Sequence, residues 1–241
     1  MNMSEEQIEQ IWNDFRMEIK YKNRFFFSKS FEDLLTNIFA PNAIKTFTSE
    51  YKGKAYRVRN GNYVDSDDKE LLEAPPGKPG LGRCNPLGIS YLYAAYDIST
   101  AIREVIKVSA DEEVHDVSVA ELELDLGNVF SFVPYKYDFM YGKSGADKDS
   151  RYFFEIMNKE FGRMITIDNQ LDYLPLQYVA EYIKYLGFDG FLFSSSITGV
   201  MNYVMFNEKK RRILRKGLLK VPENNLAYKF KTEDVAWNTK D

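Results

Sequence analysis

Cysteine and histidine are nearly absent: Cys84 and His115 are the only ones in 241 residues. A single cysteine allows no internal disulfide, so a reducing, cytoplasmic compartment is the expectation. One of each cannot build a Cys/His zinc site. A Ser-His-Asp triad would have to use His115, which sits among acidic residues, and a Cys84–His115 pair has no third member, so both are set aside. The triplet Asp65, Asp67 and Asp68 lacks the glycine and closing glutamate of a calcium loop, and no metal is expected. No apolar run approaches the ~20 residues of a membrane span. The first residues, MNMSEEQIEQIW, are acidic and hold no apolar core of a signal peptide. Neither sign of charge dominates, with 32 Lys and Arg against 36 Asp and Glu. The net charge of −4 argues against bulk attraction to nucleic acid.

Apolar side chains are plentiful, at 44% of residues, and include 17 Tyr and 18 Phe. Such a chain can bury a real core and still offer aromatic faces to a ligand ring. The length fits one domain with an extension. Residues 1–50 read as a helical extension. Ser4 is a helix start with Glu5 and Glu6 behind it, and Ile8, Ile11, Trp12 and Phe15 recur at helical spacing. A second helix over Phe31–Phe39 stops before Pro41. Residues 51–241 read as the main domain. AYRVR alternates as a strand, and the loop Ala74–Gly82 carries three prolines and three glycines, as a functional lid does. Strands are expected at Tyr91–Ala95, Val119–Leu126 (ended by a turn at Gly127-Asn128), Phe191–Phe193 and Tyr203–Phe206. Helices are expected at Asp97–Val108, Arg151–Arg163 and from Leu174-Pro175 to a Gly187 cap. Tyr135–Asp149 reads as loop. Strands and helices alternate without strict repetition, so the fold class is α+β.

Four places could carry chemistry. Arg83 follows Gly80-Leu81-Gly82, where backbone can approach a ligand and a guanidinium can grip a phosphate; a plain loop arginine is the alternative. Tyr93 offers a phenol to stack on a ring or bond a ribose, or it is core. Glu104 lies on the helix face opposite Ile102, Val105 and Ile106, either lining a cleft or in solvent. Ser194, Ser195 and Ser196 close a buried strand, as a turn or as a hydroxyl site. The basic run Lys209, Lys210, Arg211, Arg212, Arg215 and Lys216 reads as a solvated turn, with contact to a partner as the alternative.

Together, GRCNPLGISYLYAAYDISTAIREV (Gly82–Val105) and GFDGFLFSSSITGVMNYVMF (Gly187–Phe206) resemble the RES domain, over roughly Ala55–Phe206. The family's Gly-Arg-x-Asn pattern falls on Gly82–Asn85, with Cys84 where a bulky aromatic is usual. Its Leu-Tyr strand falls on Tyr93, its Thr-Ala-x-x-Glu on Thr100–Glu104, its serine on Ser195 and secondly Ser196. Arg57 matches an arginine ending the first strand, and Asn202 opens the last core strand. The resemblance implies an ADP-ribosyltransferase-like fold, with split β-sheets around an NAD cleft. It implies a bacterial toxin that cleaves the nicotinamide–ribose bond of NAD+, with water or inorganic phosphate as acceptor and no further cofactor. Glu104, Arg83, Tyr93 and Ser195 would be catalytic, with Arg57, Ser196 and Asn202 binding substrate. A helix-turn-helix, Xre-type antitoxin is the implied partner, with no membrane and no direct nucleic-acid contact. A mono-ADP-ribosyltransferase and a catalytically silent interaction module are the competing readings.

Overall fold

The computed structural model describes residues 3–40, 47–106, 115–133, 148–163, 167–206, 208–221 and 229–238. Helix α1 (Glu5–Tyr21) starts as its sequence dictates: the Ser4 hydroxyl accepts the Gln7 amide while the Gln7 side chain accepts the Ser4 amide. Helix α2 (Lys29–Ile38) follows. The strands are β1 (Thr48–Asn60), β2 (Leu92–Ala95), β3 (His115–Ser131), β4 (Gly190–Ser194), β5 (Met201–Met205), β6 (Arg211–Val221) and β7 (Ala236–Asn238). The remaining helices are α3 (Ile98–Val105), α4 (Lys148–Gly162) and α5 (Tyr173–Tyr185). Gly187, at φ +87°, ends α5 in the left-handed region where glycine is free of strain. The mixed α+β content is that expected from the sequence.

The sheet order is β1-β2-β5-β4-β3-β6-β7, and β1 also pairs with β3, so five strands close on themselves. The closure is uneven. β1 and β3 pair antiparallel over most of their length, whereas β1 meets β2 only at Tyr56 opposite Ala95. That weak joint is where the sheet opens. One face of β3 presents Ala120, Leu122, Leu124 and Leu126 to a core shared with Leu92, Leu192 and Tyr203. The other face presents Val117 and Val119 to α3, which packs there through Ile98, Ala101 and Ile102. A third core joins α1, α2, α4 and α5 to Phe130, Phe191 and Phe193 of the sheet and to Phe132 just past β3. The two N-terminal helices thus share one core with the helices of the main domain.

Three expectations need correction. Gly127-Asn128 does not turn the strand: β3 runs on to Ser131, and the pair sits in a bulge where the register against β1 shifts between Ser49 and Tyr51. Asp189 accepts both bulge amides, at 3.0 and 3.1 Å. The basic run is not a solvated turn, because Arg211 opens β6. Its cations face carboxylates instead: Arg211 meets Glu73, Arg212 meets Glu123, Arg215 meets Glu121, and Lys216 meets Asp68 at 3.0 Å. Thr48–Asn60 makes β1 much longer than AYRVR alone suggests, because β3 templates its first half. The stretch Tyr135–Asp149, read as loop, lies outside the described residues except for Lys148 and Asp149, which begin α4. Among the described residues, no helix is long and apolar enough to cross a membrane, and no group of three or more His, Cys, Asp or Glu is placed to hold a metal ion.

Candidate active site

A cleft of about 380 Å³ opens at the β1–β2 joint, within the size range of small-molecule sites. It brings together Arg57, Arg83, Tyr93, Glu104 and Asn202 from five separate segments. Ala94, Ala95 and Ala101 keep its floor low. Tyr56, Tyr173, Phe193 and Tyr203 add aromatic walls. Sequence reasoning passed over these four: Phe193 and Tyr203 sit in apolar stretches that read as core, Tyr56 in an alternating strand pattern, and Tyr173 at the edge of a helix. The signal was the density of aromatics, not any one position.

Arg57 projects from β1. Its Nη1 donates to the Tyr93 carbonyl at 2.9 Å and its Nη2 to the Leu72 carbonyl at 3.3 Å. Its Nε is buried and has no hydrogen-bond partner. Glu73 is the nearby carboxylate, and Arg211 already grips it through Nε at 2.8 Å and through Nη2. Burial pulls the Arg57 pKa down to about 10, with Glu73 opposing that shift. A buried cation lacking its own anion is costly, and a bound anion would relieve it.

Arg83 is held in place by a hydrogen-bonded knot built from its neighbours. The Tyr93 hydroxyl donates to Asn85 Oδ1 at 2.7 Å and accepts the Cys84 amide at 3.1 Å. Asn85 Nδ2 donates to the Gly80 carbonyl at 2.9 Å. From α5, buried Gln177 donates to the carbonyls of Gly82, at 2.7 Å, and Asn85, at 3.1 Å. Arg83 itself donates to the Phe161 carbonyl through Nη1. Gly82 is needed for contact rather than for ligand approach: a Cβ there would stand 2.0 Å from Asn85 Oδ1 and 3.0 Å from the Tyr93 hydroxyl. The Tyr93 hydroxyl is therefore committed to the loop, and burial pushes its pKa well above the ordinary phenol value. What Tyr93 offers the cleft is its ring. Cys84 is fully buried, and burial raises its thiol to about 12, which removes it as a nucleophile at neutral pH.

Glu104 stands in the last turn of α3, exposed at the cleft edge. Its Oε1 accepts Asn202 Nδ2 at 2.7 Å. Asn202 is buried on β5, opposite Ala95 of β2 and Phe193 of β4, so a strand pair fixes the carboxylate from below. Ser195 and Ser196 are placed differently. Neither lines the cleft. Ser195 is 2% exposed, and its Oγ accepts the amides of Ile197, at 3.2 Å, and Thr198, at 3.4 Å. Ser196 is exposed in the same turn.

The arrangement sets two guanidinium groups and one carboxylate around an aromatic-walled space. Such a set can hold a phosphorylated ligand, stack a planar ring and stabilise positive charge near the carboxylate. The RES domain family model matches residues 54–222. No curated protein matches the sequence. Among solved structures, a chain of the M. tuberculosis MbcT–MbcA toxin–antitoxin complex is similar, with a TM-score of 0.47 and 14% identity, over 81% of this chain and 95% of that one.

Proposed function

The chain belongs to the RES domain family, and from that premise we propose that it is an NAD+-degrading toxin, cleaving the nicotinamide–ribose bond in the cleft described above. The observation that carries the reading is Arg57. It is a half-buried arginine whose Nε is buried and unpartnered, in one cleft with Arg83 and a carboxylate. A dinucleotide's pyrophosphate supplies the missing anion. The aromatic walls suit the nicotinamide ring. In this reading the fold is ADP-ribosyltransferase-like, with the NAD cleft at the weak β1–β2 joint of the sheet.

The chemistry needs few groups. Nicotinamide leaves a cationic substrate as a neutral base, so no general acid has to protonate it, unlike an ordinary glycoside's leaving group. The ribosyl C–N bond breaks with its electron pair going to the ring nitrogen. Positive charge then builds on the ribose, and Glu104, aligned by Asn202, stabilises it. A water or inorganic phosphate oxygen forms the new bond to the same carbon; water gives up its proton to solvent. Arg57 and Arg83 hold the pyrophosphate, and Tyr93 supports both the ring site and the Arg83 loop. The implied partner is a helix-turn-helix antitoxin that closes the cleft, and the compartment is the bacterial cytoplasm.

Expression in a bacterial host tests the reading. Induction of the wild-type chain should arrest growth while cellular NAD+ falls, and Glu104→Gln at matched soluble level should do neither. Arrest with steady NAD+ would replace degradation by ADP-ribose transfer to a macromolecule. Neither effect would point to an interaction module without catalysis.

A further inference from the structure

The serine turn lies outside the cleft, yet it touches the helix that carries Glu104. Ser195 Oγ gathers the Ile197 and Thr198 amides. The Ser195 amide donates to the Val200 carbonyl at 2.8 Å, and the Ser195 carbonyl accepts the Gly199 amide at 2.8 Å. The turn so fixed presents Thr198, whose Oγ1 accepts the Val200 amide at 3.2 Å and lies 2.9 Å from Thr100 Oγ1. Thr100 is 1% exposed, and its amide is capped by Asp97 at 2.7 Å. On α3, Thr100 stands one turn before Glu104, on the same face. Past the turn, Asn202 bonds Glu104 itself. The hairpin between β4 and β5 therefore grips α3 at its first turn through Thr198 and at its last through Asn202.

We propose that Ser195 and Thr198 are positioning residues: Ser195 shapes the turn, Thr198 seats α3 through Thr100, and together they set where the Glu104 carboxylate stands. This rests on the reading of Glu104 as the carboxylate that stabilises the ribosyl cation. It gives the serine of the family's motif a task that involves no contact with substrate. Helix α3 has eight residues, too few to hold itself in isolation, so its side-chain anchors decide its place.

The test compares Thr198→Val, which keeps shape and loses the hydroxyl, with Thr198→Ser, which keeps the hydroxyl. Each is made in the wild-type and Glu104→Gln backgrounds, and NAD+ turnover is followed alongside hydrogen exchange of the α3 amides. Thr198→Val should lower kcat roughly ten-fold, the scale of a lost hydrogen bond with some misplacement of the catalytic group, and leave KM within about two-fold. Thr198→Ser should recover most of kcat. In the Glu104→Gln background, Thr198→Val should change nothing more. Faster exchange over Thr100–Val105 should accompany Thr198→Val in either background. Unchanged kcat, an equal loss without the Glu104 carboxylate, or a KM effect alone would overturn the proposal. If the wild-type chain leaves NAD+ intact, the function proposed above fails on its own, and exchange still decides whether Thr198 seats α3: unchanged protection sinks it. Thr100→Val probes the same contact from the other side should Thr198→Val not fold.

Discussion

At Gly82 a single hydrogen atom in place of a side chain decides whether Arg83 can be presented. Asn85 Oδ1 would lie 2.0 Å from any Cβ at that position, and the knot of Asn85, Tyr93 and Gln177 leaves it nowhere to go. Gly82→Ala is therefore expected to cost about 1–3 kcal/mol, the usual scale of overpacking, and to loosen Arg83. Thermal unfolding and NAD+ binding by calorimetry would check both, and a variant as stable and as tight-binding as wild type would remove the knot from the account. Residues at this scale were unevenly legible. Arg83 and Glu104 could be placed by motif because each sits at a set distance from a strand that reads clearly. The tasks of Tyr93 and Ser195 could not. Whether a hydroxyl faces a ligand or a neighbouring amide depends on loop geometry that spacing does not encode. Gln177 gave no signal, because a buried glutamine on an apolar helix face looks like any other polar position.

Among the elements, β6 shows what periodicity misses. Arg211 to Lys216 reads as a charged surface run until β3 is set beside it, with Glu121 and Glu123 opposite Arg215 and Arg212. Cross-strand pairing turns those charges into a ladder. Helix α1 was plain because it carries its own capping box and apolar stripe, and α5 because Pro175 in its first turn, an apolar stripe and Gly187 past its end mark it. Glu121 is buried at 2% exposure among β1, β3 and β6, with Lys54 at 2.7 Å and Arg215 also paired to it. Burial alone would raise its pKa, but the hydrogen bonds from Lys54 and Arg215 outweigh that and leave it below the ordinary value. Its folded value thus lies under its unfolded one. The stability it contributes is full above the unfolded value of about 4.3 and is lost as pH falls through the folded value. Denaturant unfolding from pH 7 to pH 3 should show this acid-side loss, and Glu121→Gln should flatten it. Identical acid limbs for the two proteins would place the pH dependence elsewhere.

Taken as a whole, the molecule is divided by its cores differently from the way its sequence divides by composition. The helical pattern of residues 1–50 and the strands beyond it suggest an extension and a domain, yet Phe15 of α1 stacks on Phe31 of α2 at 3.7 Å and lies 5.3 Å from Tyr178 of α5. Periodicity reveals an apolar stripe but not which element covers it. Phe15→Ala should therefore destabilise the entire chain by about 3–5 kcal/mol in a single cooperative transition. A separate early transition in calorimetry, with the rest unaffected, would show that the N-terminal helices fold apart. The cleft depends on the same whole-molecule arrangement, since its charged groups come from β1, the Ala74–Asn85 loop and α3, which only the closed sheet assembles.

The most direct test of the central claim is to incubate the purified chain with NAD+, with and without inorganic phosphate, and to identify the products by mass. Release of nicotinamide together with ADP-ribose, or with its anomeric phosphate when phosphate is supplied, is the expected result. Glu104→Gln should slow it by about a hundred- to a thousand-fold, the cost of one lost electrostatic contact at the reacting centre. NAD+ recovered intact from the wild-type protein, or equal turnover by folded Glu104→Gln, would contradict the account.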